Sequence, residues 1–188
     1  MHSVLITNPE GKILLSRYFD ASFRVQAAEG SEAENAAGFT TMRDWALAMR
    51  LSESEVLGQT RHLWTKGTIE CPQVARAKGG LIVVFAAVEG LLIFLCGSRE
   101  YDELTLCDIL ASLAKVMISL CKQGGKTQRA TEAVLMSSGS SAGSTYSKAC
   151  LAVDEMLPGG ILESLDPDVI LSAIKLQTSA PGTSKQGR

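Results

Sequence analysis

Two histidines, His2 and His62, stand far apart in the chain and no Cys-x-x-Cys pair occurs, so the ligand spacings of a structural zinc site are missing. The five cysteines, Cys71, Cys96, Cys107, Cys121 and Cys150, are odd in number and widely spaced. Most lie inside apolar segments, the pattern of reduced, buried thiols in a cytosolic protein and not of a disulfide framework. Neither sign of charge is in excess: 18 Lys plus Arg against 20 Asp plus Glu leave a net charge of -2. That balance excludes a broad electrostatic attraction to nucleic acid or anionic lipid, and the basic stretch KQGGKTQR at 122–129 reads as a solvated loop. No apolar run is long and unbroken enough for a membrane span, which needs about 20 residues. The longest, LIVVFAAVEGLLIFLCG at 81–97, is interrupted by Glu89-Gly90 and reads as two buried strands around a turn. The opening MHSVLITNPEG lacks the basic-then-apolar order of a cleaved secretory signal.

Nucleotide and hydrolase signatures are missing as well. Gly124-Gly125-Lys126-Thr127 lacks the first glycine of a phosphate-binding loop and follows a helix pattern instead of a strand. GSSAGS at 139–144 has the composition of a serine-nucleophile turn, but no GxSxG is present. Cys71, before Pro72, is the one cysteine at the end of an element, and nothing in the sequence positions His62 as its base. The sequence therefore implies no catalytic residue, no metal, no cofactor and no small-molecule substrate.

What is present is enough apolar material for one core: 188 residues, 46% of them hydrophobic. A single domain is expected over 1–177, with an irregular insertion at 21–41, a flexible loop at 122–144 and a disordered tail at 178–188. HSVLITN and ILLSRYF flank Pro9-Glu10-Gly11-Lys12 and form an antiparallel hairpin over 2–19. TMRDWALAMRL, from Thr41, places Met42, Trp45 and Met49 on one helical face, and Ser52 with Glu55 has capping-box spacing. Strands are expected at 67–72, 81–88 and 91–97. Leu106, Ile109, Leu110, Leu113, Met117 and Leu120 then mark a helix over Asp102–Cys121. Another runs from Thr145 to Leu157, stopped by Pro158-Gly159-Gly160, and a last one starts at Asp166-Pro167 and continues to Gln177. Strand, strand, helix, three strands and three helices make an α+β fold, a five-stranded antiparallel sheet flanked by helices.

Within AVDEMLPGGILES, at 152–164, Asp154 and Glu155 are adjacent acids. On a helix they point about 100° apart, so they do not converge on one reacting atom. With Val153 and Met156 or Leu157 as the buried stripe, the acids lie at its flank, free to meet water, a basic residue of this chain, or a partner.

Three segments in this order resemble a known family. VLITNPEGKILLSRYF at 4–19, GLIVVFAAVEGLLIFLCGSREYDELTL at 80–106 and VDEMLPGGILES at 153–164 are similar to the small, longin-type sigma/zeta subunits of heterotetrameric vesicle coat and adaptor complexes. Arg17-Tyr18-Phe19-Asp20, Glu100-Tyr101-Asp102-Glu103-Leu104, and Tyr146, Lys148 and Cys150-Leu151 ahead of Asp154-Glu155 lean toward the small subunit of the plant TPLATE complex and its TSET counterpart. The coatomer zeta subunit is the runner-up. The resemblance implies a longin-like fold and a non-catalytic part in clathrin-mediated endocytosis at the plasma membrane, or in Golgi transport if the chain is coatomer-like.

It also implies partners: a large α-solenoid subunit and, through it, the medium and second large subunits, with indirect membrane contact and cytoplasmic, peripheral localisation. Tyr18, Phe19, Trp45, Trp64, Asp154 and Glu155 are the candidate interface residues, each aromatic also fitting a core role. Two departures stand out. SSGSSAGSTYS at 137–147 replaces the apolar residues that line the sigma dileucine pocket, and the sigma basic residue for acidic signal positions falls near Leu14, so no sigma-type dileucine site is expected. A longin-like regulator of small GTPases is the competing class, since fold does not settle function. A SNARE reading would require a heptad helix after the domain, where the sequence offers TSAPGTSKQGR.

Overall fold

A computed structural model describes residues 1–19, 57–58, 60–64, 66–77, 81–97, 101–122, 129–137 and 144–179. Five strands form one antiparallel sheet: β1 (Ser3–Thr7), β2 (Ile13–Tyr18), β3 (Gln73–Ala77), β4 (Leu81–Val88) and β5 (Leu91–Gly97). Their spatial order is β2-β1-β5-β4-β3, so the two hairpins meet where β1 pairs with β5, Leu5 opposite Phe94. The four described helices are α1 (Glu103–Lys122), α2 (Glu132–Leu135), α3 (Thr145–Met156) and α4 (Pro167–Ser179). The α+β class with a five-stranded antiparallel sheet is the one expected from the sequence.

Burial on both faces explains why β4 and β5 read as nearly unbroken apolar runs, since alternate side chains of a two-sided strand all need cover. On one face Val4, Ile6, Val84, Ala86, Leu91, Ile93 and Leu95 pack under α1, α3 and α4 in the main core. On the other, Leu5, Val83, Phe85, Leu92, Phe94 and Cys96 form a second cluster with Trp64. α1 is 20 residues long and apolar enough, by length and composition, to cross a membrane. Its apolar side chains, from Leu106 through Leu113 to Leu120, are instead buried against the sheet and the neighbouring helices. Asp102 starts the helix by accepting from the Thr105 N–H at 2.8 Å, and the hydrogen bonds from Thr105 hold its carboxyl below the usual range.

Two turns use side chains where backbone groups would otherwise be unpaired. Asn8 Oδ1 accepts from the N–H groups of Glu10 and Lys12, at 3.0 and 2.8 Å, closing the β1–β2 turn. Gly11 sits there at φ +91°, and a Cβ at this position would lie 2.8 Å from the Trp64 ring. Between β4 and β5, Glu89 itself takes a positive φ of 57° beside Gly90. The carboxylate of Glu89 accepts from the Ala130 N–H, and Gly90 N–H donates to the Ala130 carbonyl at 2.9 Å.

Three expectations are corrected. The third strand is Gln73–Ala77 and not 67–72. Thr68 and Cys71 bond to each other's backbone across a turn, at 3.1 and 3.2 Å, and Pro72 offers no N–H, so pairing with β4 begins only at Gln73 opposite Phe85. Inside the expected loop at 122–144, α2 forms because Thr131 caps it and Leu135 is buried. α4 runs to Ser179, two residues beyond the expected Gln177. The expected helix from Thr41 and the insertion at 21–41 lie outside the described residues.

Gly11→Ala is expected to lower stability by about 1–3 kcal/mol, because the left-handed backbone strain adds to displacement of Trp64. Gly58→Ala, at a helical position with open space around it, should raise the urea midpoint slightly. Equal midpoints for the two variants would refute the packing described.

Candidate partner-subunit interface

The segment VDEMLPGGILES ends α3 and begins the connection to α4, and its chemistry is that of a clasp. Gly159 and Gly160 follow Pro158 with φ of +61° and +86°. The Gly160 carbonyl accepts two buried hydrogen bonds, from the Met1 nitrogen at 2.9 Å and from the Tyr101 hydroxyl at 3.0 Å. Tyr101 Oη in turn accepts from the Leu162 N–H at 2.9 Å. A Cβ on Gly160 would lie 2.5 Å from Phe19 Cβ and 2.9 Å from the Met1 carbonyl oxygen. One glycine thus joins the start of β1, the residue after β2, the approach to α1 and the α3–α4 connection.

Asp154 and Glu155 diverge as their adjacency requires. Asp154 Oδ2 receives Arg17 Nη2 of β2 at 2.7 Å, with 43% of the Arg17 and 47% of the Asp154 side chain exposed. Of the three partners open to it from the sequence, Asp154 has taken a basic residue of its own chain. Arg17 Nε is buried and unpaired. Beside this pair, burial pushes the Tyr146 phenol up; Cys150 one turn along α3 adds to the shift and Arg17 opposes it. Glu155 is half-buried.

The aromatics divide between the two faces. Phe19 is partly buried against the main core, where it meets Gly160, and its N–H donates to the His2 carbonyl at 2.9 Å. Tyr18 is half-buried at the end of β2, opposite Ser3. Trp64, only 7% exposed, belongs to the second cluster: its ring meets Phe94 edge-on at 6.0 Å and its Nε1 donates to Thr60 Oγ1 at 2.9 Å. Phe19 and Asp154 therefore serve one side of the sheet and Trp64 the other, so these residues do not compose a single patch. Trp45 lies outside the described residues.

A second constellation escaped the sequence reading. Glu132, on α2, accepts from Lys12 Nζ at 2.6 Å and from Asn8 Nδ2 at 2.9 Å, tying the β1–β2 turn to the segment after α1. The Lys12 hydrogen bond is the main cause holding the Glu132 carboxyl below its ordinary value, and the same pair raises Lys12. The Asn at the turn was visible in the sequence; its partner, 124 positions away, was not.

None of these groups is poised for covalent chemistry. Cys71 is exposed in its turn, and among the described residues no hydrogen bond links it to His62. Burial pushes the Cys96 thiol up to about 12 and that of Cys121 to about 11, which keeps both protonated and inert. Among the described residues no group of three or more His, Cys, Asp and Glu is placed to hold a metal ion.

No family model matches the chain. It is 31% identical over 129 residues to "TSET complex member tstD" of Dictyostelium discoideum, a match covering 69% of each chain. Its fold is shared with a chain of the structure titled "Homology model of the full-length AP-3 complex in a stretched open conformation", at a TM-score of 0.52 and 10% identity, over 94% of this chain and 92% of that one. At that identity the likeness speaks for the fold.

Two outcomes check the clasp and the turn anchor. Gly160→Ala should cost about 2–4 kcal/mol in chemical denaturation, from strain plus overpacking, and Gly159→Ala about 1 kcal/mol from strain alone. A Glu132 carboxyl held low stabilises the fold above the ordinary carboxylate range, and that contribution is lost as pH falls through the lowered value. The raised Lys12 contributes below the ordinary lysine range and loses its effect as pH rises through the raised value. Glu132→Gln should therefore flatten the acid limb of the stability–pH profile; an unaltered limb would show that the pair contributes nothing.

Proposed function

The chain belongs to the family of TSET complex member tstD, the small longin-like subunits of adaptor-type coats, and from that membership we propose that it is a non-catalytic structural subunit acting in clathrin-mediated endocytosis at the plasma membrane. As an adaptor-complex subunit its business is vesicle traffic, its partners are the other subunits, and its place is the cytoplasmic surface of a membrane. In the proposal it docks on a large α-solenoid subunit and stabilises the core of the complex, with the medium and second large subunits reached through that contact and the membrane touched indirectly.

The observation that carries the reading is the identity to tstD over 129 residues. The clasp supports it physically: residues of the VDEMLPGGILES signature are spent on holding the domain together, as a scaffold requires, and not on aligning reacting groups. Stable assemblies of this kind commonly bury more than about 2,000 Å², an area one face of such a domain can share in with a solenoid. The sequence at 137–147, rich in Ser and Gly, further suggests that cargo is not selected here through a sigma-type dileucine pocket.

Purification of the tagged chain from its own cells at near-endogenous level, with mass spectrometry of stoichiometric partners, tests the proposal. TPLATE- or TSET-type large and medium subunits are expected. Coatomer subunits would move the chain to Golgi transport, and a small GTPase without any solenoid subunit would replace the coat assignment by a regulatory one. An acidic dileucine peptide should show no submicromolar binding through this subunit in the assembled complex.

A further inference from the structure

The connection after the clasp and the outer side of α4 present exposed apolar side chains. Ile161 is 71% exposed, Leu165 39%, Val169 56% and Leu176 73%. Val169 and Leu176 are seven residues apart, two helical turns, so they share a stripe about 10 Å long. The opposite side of α4 is spent on the core, where Ile170 and Ile174 are buried. Exposure alternates along 161–165, with Ile161, Glu163 and Leu165 outward.

This face is held in place. Leu162 N–H donates to Tyr101 Oη at 2.9 Å, Glu163 N–H to the Met156 carbonyl at 3.0 Å, and Ser112 Oγ of α1 to the Leu165 carbonyl at 2.6 Å. Side chains fixed by three such anchors dock with less ordering cost than those of a free loop.

Charge identifies what fits there. The three salt bridges among the described residues pair Glu132, Asp154 and Glu103 with Lys12, Arg17 and Arg76. Glu163, Asp166 and Asp168, all exposed, take part in none of them. Asp166 Oδ1 accepts the Asp168 N–H at 2.9 Å at the start of α4, and Lys175, exposed on the same helix, leaves the border of the stripe net negative. An apolar stripe with an acidic border repels an anionic lipid surface. It also repels its own copy in a two-fold contact, where the acids of both chains would face each other.

We propose that the face formed by Ile161, Leu165, Val169 and Leu176, bordered by Glu163, Asp166 and Asp168, docks an amphipathic helix of the large partner subunit whose apolar stripe is flanked by Lys or Arg. The proposal rests on the adaptor-subunit reading and names the surface that reading leaves unassigned. The stripe supplies the buried centre of the contact and the acids set its register and partner choice.

The test compares the tagged full chain, purified from its own cells, with two surface variants, Val169→Asp with Leu176→Asp and Glu163→Lys with Asp168→Lys. Recovery of the solenoid large subunit should fall about tenfold or more in the first and severalfold in the second, with melting temperatures close to the parent. Undiminished recovery by either folded variant overturns the proposal; if the first melts early, the second decides. Should the parent recover no large subunit, the adaptor reading fails, and a photo-crosslinker at Ser172 judges the face separately. Crosslinks mapped to a Lys- or Arg-flanked amphipathic helix uphold it, whereas crosslinks to a second copy, none at all, or flotation with phosphatidylserine vesicles overturn it.

Discussion

The Gly160 carbonyl is the point on which the helical layer depends. A carbonyl in the interior must be paired, and this one is paired twice, by the Met1 nitrogen and by Tyr101. Because Tyr101 also receives the Leu162 N–H, one phenol links the approach to α1 with the exit from α3. Glycine is required because Phe19 and the Met1 carbonyl occupy the space a side chain would need. The Pro158-Gly159-Gly160 segment is thus a record of chain crossing: four distant segments converge where only hydrogen would fit.

The sheet imposes the second constraint. A strand such as β5, buried over its whole length, needs cover on both sides. α1, α3 and α4 supply one cover, and Trp64 contributes to the other through its contact with Phe94. Trp64 also presses on the β1–β2 turn at Gly11, so the turn's backbone conformation and the second cluster are one packing problem. Aromatic residues that could have anchored a partner are thereby committed, Trp64 almost wholly and Phe19 in part.

The proposed docking relies on what the fold leaves over. The Arg17–Asp154 pair is half exposed and contributes little to stability by itself, as surface ion pairs do. It links the edge strand β2 to α3. Among the described residues the acids bordering α4 enter no salt bridge, so their charge is available outward. Apolar area at the centre with charge at the border is the distribution that gives a contact both affinity and selectivity.

Sequence alone determined the elements whose hydrophobic period is local. β4, β5, α1 and α3 were legible to within a residue or two, since their apolar spacing is written along a few turns or a single strand. The third strand was misplaced because an edge strand of small and polar residues, QVARA, has no strong period, while the preceding turn has an apolar residue in it. α2 was missed because four residues are too few to show one. Order of segments and signature residues placed the chain in its family. Only the tertiary structure decided what those residues do: that Asp154 meets Arg17, that Glu132 meets Lys12 and Asn8, that Gly160 closes the domain, and that Ile161, Val169 and Leu176 stay outside. These are contacts between segments tens of residues or more apart, and no period along the chain encodes which of two distant side chains will share one place.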